Sequence, residues 1–180
     1  MNLYKKIHLS RTIFMTGFAL WITLIAINNL TDRGTNIHLL SRMFTMKDII
    51  ADPVMGNGLE WRALPSEPTA TIVLWAIIAY QILNAALLWR ASILFIKVLR
   101  FPSHIKKRQY ALRAANIALT CMMIQWMVFM CGGLFFGYWI KMGAVQSVHM
   151  ALLMTTLIGF IFMNFESAPE LTPDNVDPRP

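Results

Sequence analysis

One histidine, His149, stands inside an apolar run with no carboxylate or cation beside it. An imidazole there could ligate a haem iron, but a b-type haem draws axial ligands from facing helices. His8, His38 and His104 fall in flanks or loops, so the second ligand would be a thioether from Met122, Met123, Met127 or Met130. With 13 methionines in the chain, packing is the commoner use of that side chain. Gln81 and Asn84 lie three apart in a second apolar run, and Asn116 and Gln125 lie in a third. Such carboxamides can line a pocket for a quinone or small polar ligand, or can hydrogen-bond one helix to the next. A further set lies between two runs. Asn28, Asp32 and Asn36 recur at helical spacing in "NNLTDRGTN", with Asn29 among them, and "GLEWRALP" puts Trp61 beside Arg62. Trp and Arg are enriched in binding hot spots, while Trp alone also anchors membrane interfaces. No Ser–His–Asp set, phosphate loop, metal cluster or paired carboxylates can be assembled within the apolar runs. Cys121 and Cys131 are separated by roughly 15 Å of helix, too far for a disulfide.

The elements that must hold these residues follow from composition. Of 180 residues, 57% are hydrophobic and 14% charged, and mean hydropathy is +0.53. A soluble chain has about 45–50% apolar and about 25% charged residues. A membrane is therefore the expected solvent. Four stretches reach the roughly 20 apolar residues that a crossing needs: about 12–30, 70–88, 114–138 and 145–165. The second could run on through "ASILFIKVL". The first is longer than a signal-peptide core and is not closed by an A-x-A site, so it is read as a retained span. The fold class is thus an all-α membrane protein, a four-helix transmembrane bundle forming one domain over residues 1–166.

Charge placement predicts orientation. Lys5, Lys6 and Arg11 precede the first span without an acid, and residues 90–113 carry Arg90, Lys97, Arg100, Lys106, Lys107, Arg108 and Arg113, again without one. The loop at 31–69 mixes both signs. The positive-inside rule then puts both termini and the basic loop in the cytoplasm and the long first loop outside. The basic loop reads as a topology determinant first and an anionic-lipid contact second. Nucleic-acid binding has no supporting platform. In the outer loop, "IHLLSRMFTMKDII" carries apolar residues at three-four spacing, which predicts an amphipathic helix at the interface. Residues 167–180 form an acidic, Pro-rich tail without an apolar face.

The "NN" closing the first span, Asp32, Asn36, the "MFTM" segment and "WRAL" before the second span resemble the bacterial predicted small integral membrane protein family, a domain of unknown function. The likeness runs from the first span to the fourth and rests on Asn29, Asp32, Asn36, Met46, Trp61 and Arg62. That family carries an acid straight after the methionine; here Lys47 intervenes before Asp48. The resemblance implies a four-span protein of the bacterial inner membrane and supplies no activity, substrate or cofactor.

No intramembrane charge marks a proton or ion path. The first expectation is therefore a non-enzymatic accessory or scaffold subunit of a membrane complex, with lipid and other membrane subunits as partners and no cofactor. Asn29, Asp32, Asn36, Trp61 and Arg62 are its candidate interaction site, with Asp32 facing Arg62. Gly133 and Gly137 in GxxxG spacing, with Gln81, Asn84 and Gln125, are candidate helix-packing positions. One alternative is a small-ligand or lipid-binding protein using the outer loop as a lid. Another is a haem protein through His149.

Overall fold

The computed structural model describes residues 3–56, 58–64, 67–101 and 105–165. His104 and the tail at 167–180 lie outside them. Helix α1 spans Leu3–Thr31, α2 Arg33–Thr45, α3 Lys47–Ile50, α4 Glu67–Arg100, α5 Ile105–Phe135, α6 Tyr138–Lys141 and α7 Gly143–Asn164, with a 3-10 turn at Glu60–Arg62. Four of these, α1, α4, α5 and α7, are long and apolar enough to cross a membrane.

α4 is continuous through Arg90 to Arg100, because "ASILFIKVL" contains no helix breaker. Its 34 residues extend about 51 Å at 1.5 Å each. That exceeds a hydrocarbon core of about 30 Å, so the charged ends of α4 and α5 project from one end of the bundle, here the basic end. α5 stops at Phe135, short of the expected 138. Gly137, with φ of 62°, reverses the chain into α6.

The spanning helices pack in the order α1, α4, α5, α7, and each neighbouring pair shares polar contacts. Thr16 Oγ1 lies 2.6 Å from Ser92 Oγ, and Trp89 Nε1 donates to Thr23 Oγ1 (3.1 Å). These join α1 to α4. Tyr80 donates to the Cys121 carbonyl (2.9 Å) and Asn84 Nδ2 to Gln125 Oε1 (3.0 Å), joining α4 to α5. Asn116 and Asn164 exchange reciprocal amide bonds of 2.8 and 2.9 Å between α5 and α7. Small residues bring the backbones close. Ala111, Ala115 and Ala118 form a fully buried stripe on α5, and Ala85 and Ala91 of α4 belong to the same buried cluster.

α1 meets α7 near the basic end. Phe14 packs edge-on against Phe162 (5.6 Å between centroids), and its ring occupies the space where a Gly159 side chain would stand. Arg11, itself buried, donates to the Phe165 carbonyl at 2.6 Å. Toward the other end α2 covers the space between the two helices.

The expected amphipathic helix is broken at Met46, which adopts a left-handed conformation (φ 50°). A non-glycine residue there costs about 1–2 kcal/mol. The kink turns Phe44, Met46 and Ile49 inward together, all nearly fully buried, and burying side chains of this size is worth about 1.5–3 kcal/mol each. Packing therefore overrides local preference.

Replacing Gly159 with Leu drives a side chain into Phe14. The expected loss is about 1–3 kcal/mol, read from thermal or denaturant unfolding in detergent. Adding Phe14→Ala should recover most of it; full additivity of the two losses would show that they do not share that space.

Candidate functional site

The opening between α1 and α7 is a cavity of about 430 Å³. α1 contributes Ile25 and Asn29, α4 Leu74, Ile77 and Gln81, α5 Trp126, Phe129 and Gly132, and α7 Val145, Val148, His149 and Leu152. α2 covers it with Asn36, Leu39, Leu40, Met43 and Phe44. Its size falls in the range of about 300–1,000 Å³ typical of ligand sites. Val128 and Val148 on its wall are 60% and 56% exposed, so it is a cleft and not a sealed chamber. By contrast, the groove along Gln109–Cys121 is lined by α5 alone and makes no enclosure.

No lining residue of the cavity is an acid, a Lys, an Arg, a Ser, a Thr or a Cys. The polar members are carboxamides and ring groups. Asn29 Nδ2 donates to Gln81 Oε1 at 2.8 Å, a side-chain bridge from α1 to α4 on the wall. Asn36 Nδ2 donates to the Asp32 carbonyl at 3.0 Å. Trp126 is almost fully buried, and its Nε1 finds no hydrogen-bond partner among the described residues; neither does His149 Nδ1. An unsatisfied buried polar group costs about 1–3 kcal/mol. His149 stands nearly parallel to Trp126 (6.2 Å, 21°) and to Tyr138 (6.4 Å, 17°), with Phe129 tilted at 4.9 Å. Burial pushes the Tyr138 phenol up to about 12, so it stays neutral at any working pH.

The cap is held by several fasteners. Arg42 grips Asp48 with Nε and Nη2 at 3.0 and 2.5 Å, bracing the kink at Met46. Asp52 Oδ1 accepts from Val54 N and Met55 N, both 2.8 Å, and Lys141 on α6 donates to Oδ2. These contacts, the lysine bond first, hold the Asp52 carboxyl well below the usual carboxylate range. Gly56, with φ of 84°, passes so close to Ile49 that a side chain would strike it. Leu64 N donates to the Phe44 carbonyl at 2.7 Å and closes the loop.

Trp61 and Arg62 serve this closure. Arg62 Nη1 donates to the Phe135 carbonyl at 2.9 Å, where the end of α5 leaves acceptors open. Its guanidinium lies 5.3 Å from the Trp61 ring centre and 5.1 Å from that of Phe135. Asp32 is not brought to Arg62: it begins α2, its Oδ1 accepting weakly from Thr35 N at 3.4 Å. Asn29 turns to Gln81 on α4 and not to the outer loop. Gly133 and Gly137 do not share a helix face. Gly133 admits Gln146 and Tyr138, whereas Gly137 lies in the α5–α6 turn against Ile49. Asn84 and Gln125 pair with each other beside the cavity. For a haem, Met122, Met123, Met127 and Met130 fit poorly, because none lines the cavity with His149.

Sequence periodicity alone does not single out Phe44, Phe129, Phe136 and Tyr138 as cavity residues. They come from three helices and a turn, and the only local signal is aromatic clustering in "FFGYW".

A family model described as "Predicted small integral membrane protein (DUF2165)" matches residues 7–166. No curated protein matches the chain, and no solved structure does.

Lys141→Met and Arg62→Met each remove one fastener, and limited proteolysis within 51–59 should accelerate in both. The Asp52 clamp is present above the ordinary aspartate value of 3.8 and is lost only as pH falls through its lowered value. Cleavage should therefore be flat across the neutral range; a rise between neutral and weakly acidic pH would contradict this.

Proposed function

The chain belongs to the family of predicted small integral membrane proteins, and from that premise we propose that it is a non-catalytic membrane protein that holds one small, largely apolar ligand under α2. The observation that carries this reading is the cavity itself. It is walled by four membrane-spanning helices, lidded by a segment fastened to the α5–α7 connection, and lined by residues without an acid, a Lys, an Arg, a Ser, a Thr or a Cys, the one hydroxyl being the buried phenol of Tyr138. The Asn29–Gln81 carboxamide pair on the wall suits a polar atom on an otherwise apolar guest.

In this proposal the basic end faces the cytoplasm of a bacterium and the lid faces outward from its inner membrane. The support is the bias of Lys and Arg to the α1 start and the α4–α5 ends. An accessory-subunit role has less behind it. Exposed Ile13, Ile72 and Ile161 on the spanning helices are what lipid contact alone requires.

Gly132 provides the test. It lines the cavity, and a side chain built there meets nothing within 4 Å. Gly132→Leu should fill the space while improving helix propensity by up to about 1 kcal/mol. Gly17→Leu, on an exposed face of α1 and also free of clash, is the control. After mild extraction, mass spectrometry should find one co-purified small molecule on the wild type and on Gly17→Leu, and none on Gly132→Leu. Equal retention by Gly132→Leu, or a stoichiometric protein partner with no small molecule, would overturn the proposal.

A further inference from the structure

We infer that the guest is an isoprenoid quinone, its ring seated among the aromatic side chains between α5 and α7 and its tail leaving through the cleft. This rests on the ligand-binding reading above. Three observations select the class.

The first is charge. With no cation on the lining, a phosphate or carboxylate would be buried unpaired; with no acid, an amine would be. The headgroup is therefore neutral, which removes phospholipids and fatty acids.

The second is shape. Among the lining rings, Trp126, Phe129 and Tyr138 gather around His149, and Phe44 meets Phe136 edge-on at 5.1 Å. Tyr138, His149 and Trp126 are nearly parallel. Flat conjugated rings stack on such surfaces in offset or edge arrangements, worth about 0.5–1.5 kcal/mol per pair beyond area. An aliphatic diglyceride or fatty alcohol gains nothing from them.

The third is hydrogen-bond sense. In the Asn29–Gln81 bridge the Gln81 oxygen is the acceptor, so the Gln81 amide nitrogen, a donor on a wall residue of the cavity, is not consumed by that bond. A donor on a neutral wall matches a carbonyl oxygen at the edge of a quinone ring. The apolar residues Ile25, Leu74, Ile77 and Leu152 extend the site along the spanning helices, where a prenyl chain would lie.

The test uses the full-length protein in lipid nanodiscs, with a short-chain ubiquinone, a short-chain menaquinone and an uncharged short-chain diglyceride as probes. Binding is read by quenching of tryptophan fluorescence and by equilibrium dialysis, at equal lipid so that partitioning cancels. Saturable binding of at least one quinone is expected, lost in Gly132→Leu and kept in Gly17→Leu. Gln81→Met removes the amide and should weaken quinone binding about tenfold, the equivalent of about 1.4 kcal/mol. Binding of the diglyceride and not of the quinones would overturn this inference while leaving ligand binding intact. Failure of all three probes, with nothing co-purified, would overturn both. Quinone binding unchanged in Gly132→Leu would place the quinone elsewhere and overturn the inference. Undiminished affinity in Gln81→Met would overturn the headgroup placement.

Discussion

Side-chain hydrogen bonds between spanning helices set the order in which the bundle is assembled. Lipid offers them no competing partner, and helices in lipid gain little from hydrophobic burial against one another. Asn84 with Gln125, Thr16 with Ser92, and Asn116 with Asn164 each join one neighbouring pair. Such bonds average only about 0.6 kcal/mol each. Their importance is directional: they fix rotation and register, and the alanine stripe of α5 is then fully buried. Because the order runs α1, α4, α5, α7, the first and last helices are joined at the basic end by Phe14 and Arg11. The cavity is the space between them at the other end.

The lid answers a second constraint. α5 ends with exposed carbonyls, and the chain must return within a few residues to start α7. Arg62 satisfies the Phe135 carbonyl, and Ile49 packs onto Gly137 in the turn itself. Lys141 on α6 then ties the loop through Asp52. The segment that carries α2, α3 and the 3-10 turn is thus built onto the α5–α7 connection, although in sequence it lies between α1 and α4.

Much of this architecture is legible in the sequence. Four apolar runs give the four spanning helices, since length and hydropathy are local properties. The carboxamides Gln81, Asn84 and Gln125 can be seen to lie within helices. Their partners cannot, because periodicity gives a face and not the neighbour across from it. Asn29 is the clear case: it sits in a polar stretch that reads as a helix end, and only the bundle brings it to Gln81. The break at Met46 is hidden for a different reason. Methionine has no preference for a left-handed turn, and the burial that offsets its strain is tertiary. Trp61 and Arg62 announce themselves by type. Their contact with Phe135 spans 73 residues of sequence in the case of the arginine, and nothing local encodes it.

The contact of Phe14 with Gly159 has a mechanical consequence. It pins α1 to α7 ten residues below His149, a lever arm of about 15 Å. A tilt of about 5° around that point would move the cavity wall by roughly 1.3 Å along such an arm. Width at the open end is therefore amplified from a small rotation at the closed end. With no side chain at Gly159, the Phe14 ring fills the space beside the α7 backbone. A bundle joined at one end and covered at the other concentrates the geometric effect of any helix tilt at the cavity.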